Sequence, residues 1–173
     1  MLEFMGSAKH TVLNFLEMSY QKLLSKIFSG YSSKTRQLEN FKNEPIETNE
    51  PLGRFILNKC YIRNSNNTVK LAAFMPAKDL DLSVYRTKGL NEESIWKLAI
   101  ENVISKMSEP KSLYGRAEIT PSIVYSNNLE IDPNNIPQRH ANITKWPTEK
   151  HEQKMIAMNL AKEASLKLRH PES

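Results

Sequence analysis

"LDLSVYRTKGLNEESIWKLAIENV", residues 80–103, changes its hydrophobic period halfway, and that change decides the fold class. Up to Thr87 the residues alternate. Leu80, Leu82 and Val84 fall on one parity and Asp81, Ser83 and Tyr85 on the other, as in a strand with one buried face. Gly89 breaks the alternation. Asn91 then stands where an N-cap belongs, and Glu92 and Glu93 follow in the first turn, where carboxylates suit the helix dipole. Ile95, Trp96, Ala99, Val103 and Met107 recur at helical spacing until Pro110 stops them. A strand feeding a helix predicts a mixed domain.

Towards the C-terminus, "SLYGRAEI" (112–119) alternates again, with Leu113, Gly115, Ala117 and Ile119 opposite Tyr114, Arg116 and Glu118. "TPSIVYSNNLEIDPNN" (120–135) reads either as a strand with a turn or as a loop. Residues 139–145 form a third alternating strand, with Ala141 and Ile143 inward and His140, Asn142 and Thr144 outward. From Pro147 to His170, Ile156, Leu160, Ala164 and Leu168 stand at steps of four with lysines and glutamates opposite, which predicts a long closing amphipathic helix.

Towards the N-terminus, "VKLAAFMP" (69–76) is a nearly continuous apolar run, expected as a strand buried on both faces. "RNSNN" (63–67) is a turn by composition. "LGRFILNKCYI" (52–62) is short and apolar and is read as a short helix. Residues 7–29 carry a helical apolar stripe (Val12, Leu16, Tyr20, Leu23, Ile27) and form a semi-independent helix or docking arm. Residues 30–50 read as a linker and 51–173 as a single α+β domain. The expected sheet is small, mixed or antiparallel, with three to five strands.

Composition narrows the function classes. With 173 residues and 39% hydrophobic content the chain supports one domain with a core. Its 24 Lys+Arg against 19 Asp+Glu lean towards polyanionic partners, nucleic acid first. A single cysteine, Cys60, permits no intrachain disulfide, and a cytoplasmic location is expected. The N-terminal stretch lacks the features of a signal peptide, and no apolar run is long enough for a membrane span. With methionines at both 1 and 5, residues 1–4 are open to being a cloning remnant.

Several motifs are excluded. Five glycines, none in a phosphate-cradling arrangement, rule out dinucleotide-fold and P-loop signatures. Four scattered histidines (His10, His140, His151, His170) and one cysteine offer no zinc spacing, so neither metal nor cofactor is expected. Trp146 with Pro147 offers a stacking platform or, more ordinarily, a packing lid. The lysines of the closing helix read as a solvated face.

What remains is the polar parity of the strands. Tyr85, Arg116, Glu118 and His140 would share one sheet face, with Arg86 and Arg139 at strand ends turning to its rim. Such a face is commonly only solvated or helix-covered, because cross-strand polar pairs stabilise sheets modestly. If it is functional, Tyr85, Arg86, Arg116, Arg139 and His140 are the expected ligand contacts, the arginines giving charge-assisted hydrogen bonds to phosphate.

The strings "AFMP", "LSVYRTKGLNEESIW", "GRAEI" and "RHANITKWP", spread over Phe74 to Ala164 and about half the chain, resemble a group of small bacterial proteins with no established activity. The resemblance implies a bacterial, single-domain protein, and it transfers no site.

Three function classes follow. The leading expectation is a non-enzymatic protein binding a phosphate-bearing ligand or nucleic acid through the basic, aromatic sheet face, as an accessory component of a bacterial system. The alternative is a small enzyme acting on RNA or a nucleotide, with His140 as acid or base, Glu118 as its counterpart, and Arg116 or Arg139 stabilising charge on phosphate. The third is an antitoxin-like or assembly subunit docking on a protein partner through residues 7–28.

Overall fold

The computed structural model describes residues 45–169, and the helix expected over 7–29 lies outside them. The domain is α+β. Its main sheet has six strands rather than three to five: β1 (Leu52–Ile56), β4 (Leu82–Arg86), β5 (Gly115–Ile119), β6 (Glu130–Asp132), β7 (His140–Thr144) and β8 (Ser165–Leu168). They lie in the order β6-β7-β4-β1-β5-β8, every neighbour antiparallel. A two-stranded ribbon, β2 (Ile62–Arg63) with β3 (Thr68–Val69), stands apart around the "RNSNN" turn. The helices are α1 (Glu92–Asn102), α2 (Pro121–Ser126) and α3 (Lys150–Glu163).

β4 and β5 flank β1 and run antiparallel to it, so the β4–α1–β5 connection crosses over β1. Helix α1 starts where the sequence places it, with the Asn91 side chain accepting from Ser94 N–H at 2.9 Å. It buries Ile95, Trp96 and Ala99 against Phe55, Tyr85 and Leu113. The opposite sheet face carries the aliphatic parity: Leu52, Leu82, Val84, Ala117, Ile119, Ala141 and Ile143 are buried under Phe74, Val124, Ala157 and Leu160. A sheet is thus sandwiched between unequal helical layers. Trp146 closes this larger core as a lid, its indole N–H donating to Ile143 C=O at 3.0 Å.

Five local expectations change. Helix α1 ends at Asn102 instead of running on to Pro110, and Met107 is left exposed. "LGRFI" is a central strand, not a helix. Its lack of alternation reflects cover on both faces, Leu52 and Ile56 on one side and Phe55 on the other. "VKLAAFMP" splits into β3 and a 3-10 turn over Leu71–Phe74, which plugs Ala73 and Phe74 into the core; a short apolar run fits either shape. Residues 121–126 form α2, with Pro121 at its start, where the missing N–H costs nothing. The closing helix ends at Glu163, because "SLKL" finds backbone partners along the otherwise open edge of β5.

No helix among the described residues is long and apolar enough to cross a membrane.

The β5–β8 pairing depends on Gly115. A Cβ built there would lie 2.5 Å from Lys167 C=O, a backbone atom that cannot step aside cheaply. Gly115→Ala should cost about 1–3 kcal/mol in urea unfolding, the usual range for overpacking. An unchanged midpoint would mean that β8 does not close this edge.

Candidate anion-binding cleft

The residues expected as ligand contacts do not gather at one point. Arg86, instead of turning to the rim, is 3% exposed: Nε and Nη2 donate to the Glu50 carboxylate at 2.5 and 2.8 Å, and Nη2 also to Pro45 C=O. Glu50 is equally buried, so residues 45–50, linker by composition, help close the domain. Pulling Arg86 onto a ligand would strand that carboxylate at a cost on the order of 3–5 kcal/mol.

Arg116 is 2% exposed and fully engaged. Nη1 and Nη2 donate to Glu92 at 2.6 Å each, Nε donates to Glu118 at 2.8 Å, and the guanidinium lies 4.7 Å from the Trp96 ring centre. It clamps α1 onto the sheet, and the same bonds hold the Glu92 carboxyl below its usual range. Arg139, in left-handed backbone at φ 66°, donates from Nη1 to Arg86 C=O and Lys88 C=O. The arginines read as ligand contacts are therefore joints of the fold in this structure.

Tyr85 and His140 do adjoin, with rings edge-on at 5.3 Å, and Phe55 packs 5.2 Å from Tyr85 on the other side. Glu118 stands in the same row, but His140, Tyr85, Gly53 and Glu118 sit on four successive strands. Three strand spacings, roughly 14 Å, separate the acid/base pair of the enzyme reading. The polar face is covered by α1 over Phe55 and Tyr85, while Ser83 is exposed and Asn142 and Thr144 are half-buried.

One concave site lies where the sheet parts. β1 pairs with β5 at five positions but with β4 at only two, Leu52↔Arg86 and Gly53↔Tyr85. Beyond these, the Arg54 side chain bridges the gap, Nε donating to Ala73 C=O at 3.2 Å and Nη1 to Ser83 C=O at 3.0 Å. A cleft of about 450 Å³ opens along the parting, within the usual range for small-molecule sites. Arg54 and Phe55, which point to opposite sheet faces, both line it, with Tyr61 and Ala73 on one side and Ser83, Tyr85 and Asn102 on the other. Lys106 and Lys111, from the segment after α1, complete the rim.

The charge of this lining is one-sided. Arg54, Lys106 and Lys111 are its ionic groups; among the described residues no carboxylate lines it, and none is ion-paired to these three. Burial pulls Arg54 below its ordinary range, a tendency opposed by Tyr61 and Tyr85, yet an arginine stays protonated at neutral pH. Its carbonyl partners orient the charge without neutralising it. Burial likewise raises the Tyr85 phenol, against the pull of Arg54. Sequence reading missed Arg54 because it follows the aliphatic parity of a stretch read as helix. The signal was an arginine inside an otherwise buried strand. No group of three or more His, Cys, Asp or Glu among the described residues is placed to hold a metal ion.

His140 reports on this field from behind Tyr85. Asn134 Oδ1 already accepts from Ile136 N–H, so His140 Nδ1, 2.7 Å away, carries the proton and donates to it. Burial lowers the imidazole pKa first; Lys106 and Arg54 lower it further, against Asp132 and Asp81. With the folded pKa below the unfolded one of about 6.5, the unfolded chain binds more protons between the two. The contribution of His140 to stability is then complete above about pH 6.5 and is lost as pH falls through the folded pKa. Urea unfolding between pH 5 and 8 should show His140→Gln losing less stability on acidification than the wild type; parallel curves would contradict this.

Comparison with protein-family models, with curated proteins and with solved structures gave no match to this chain, so the functional reading rests on the chemistry of the cleft.

Proposed function

We propose that the protein is a non-enzymatic binding protein for a phosphate-bearing ligand, held in the parting between β1 and β4. The observation that carries this is the cleft lining among the described residues: three cations, no carboxylate, and one of the cations half-buried with only neutral hydrogen-bond partners. A charge withdrawn from water without a counterion is unfavourable, and a bound anion relieves it. Arginine is suited to this part, because a guanidinium anchored through Nε and Nη1 still has N–H groups to offer a phosphate oxygen. Lys106 and Lys111 supply mobile ammonium groups, which meet a phosphate as point charges.

This reading moves the anion away from Arg86, Arg116 and Arg139, whose hydrogen bonds already serve the fold, and keeps Tyr85 as a wall of the site. His140 becomes a supporting residue behind that wall. Nothing in the arrangement asks for a general acid and base acting together.

Inorganic pyrophosphate is a direct probe. Calorimetric titration should give saturable binding that weakens as salt rises from about 20 to 200 mM, because the rim charges are screened. Lys106→Ala with Lys111→Ala should weaken binding at least about tenfold, roughly 1.4 kcal/mol. Both lysines are exposed, so the unfolding midpoint should not move. Binding that is absent, indifferent to salt, or unchanged in the double variant would overturn the proposal.

A further inference from the structure

Resting on that anion reading, we infer that the ligand is a nucleoside phosphate, with its phosphate on the cations of the cleft and its base stacked on Tyr61. A bare phosphate would leave most of a cleft of about 450 Å³ unfilled, whereas a single nucleotide suits sites of this size. The rest of the lining is suited to a base.

Of the aromatic residues there, Phe55 and Tyr85 are 7% and 5% exposed, spent on each other and on α1. Tyr61 is different. It is half-buried, packed against the larger core, and lines the cleft. An aromatic side chain packed on one side and facing a cavity on the other is a stacking platform that accepts any base. It shares the cleft lining with the anchored guanidinium of Arg54.

Two carboxamides complete the set. Asn58 Oδ1 is occupied by Cys60 N–H, which leaves its amide N–H groups to donate. Asn102 Nδ2 is occupied by Leu98 C=O, which leaves its Oδ1 to accept. Both residues line the cleft. A free donor and a free acceptor match the mixed edge that every base presents, and so favour a base without choosing among the four.

The same chemistry comes from two sources, a free mononucleotide or the phosphorylated end of a single strand. Calorimetry on the full chain with inorganic phosphate, adenosine, the four nucleoside 5′-monophosphates, and a short 5′-phosphorylated single-stranded oligonucleotide separates them. We expect monophosphates to bind roughly tenfold or more tighter than phosphate or adenosine, the gain of one base–aromatic stack. Tyr61→Ala should erase that gain and leave phosphate binding in place, and Tyr61→Phe should restore it. A strand end binding tighter than the monophosphates assigns the strand as the source, and the reverse assigns the free nucleotide; either supports the inference. Phosphate binding as tightly as every monophosphate, or Tyr61→Ala weakening both alike, would overturn it while leaving the anion reading intact. If no phosphate-bearing probe binds, the anion reading falls with it.

Discussion

The arrangement of this domain turns on one substitution of partners: where β1 and β4 stop pairing, a guanidinium takes the place of the ladder. Arg54 donates to Ser83 C=O across the gap and to Ala73 C=O beneath it, so backbone carbonyls at the parting are satisfied by a side chain. Buried backbone groups must find partners, and the Arg54 bridge lets a central strand separate from its neighbour without leaving them orphaned. The same bridge fixes a positive charge at the bottom of the opening. Architecture and chemistry have one cause here.

Around that parting three other arginines, Arg86, Arg116 and Arg139, lock the frame. Arg86 with Glu50 closes the end at which β1 and β4 still pair, and Arg116 with Glu92, Glu118 and Trp96 holds α1 over β1 and β5. The Arg86–Glu50 pair is buried on both sides, and such a pair adds little net stability over apolar packing but is strongly directional and costly to break, whereas the Glu92 partner of Arg116 is 63% exposed. The Arg86–Glu50 pair sits at the end of the β1–β4 seam that stays shut. Arg139, donating to carbonyls at the end of β4, fixes the start of β7 and so the position of His140 behind Tyr85.

Much of this was legible from residues alone. The alternation in 80–87, 112–119 and 139–145 marked the strands and most of their two faces, and Asn91 marked the start of α1, because these signals are local; yet Leu113 packs under α1 while Tyr114 joins the larger core, and Tyr85, Arg116 and His140 of the polar parity are buried. The failures are non-local. β1 looked helical because cover on both faces erases alternation, and β8 looked helical because only its partner β5 makes it a strand. The partners of the arginines were hardest of all to read. Arginines on the polar parity or at strand ends drew attention as contacts, yet the carboxylates that occupy Arg86 and Arg116 come from up to 36 residues away in sequence. Arg54 stands out only once Ser83 and Ala73 are seen to face it.

The most direct test of the cleft is where an anion touches the protein. In amide and arginine Nε–H spectra recorded during titration with inorganic pyrophosphate, the Arg54 Nε–H, together with the backbone signals of Tyr85, Asn102 and Lys106, should shift and saturate together, while the Nε–H signals of Arg86 and Arg116 stay in place. Shifts gathered instead on Arg63 and Lys162, which line a separate groove of about 500 Å³ between the β2–β3 ribbon and α3, or centred on Arg116, would contradict the account.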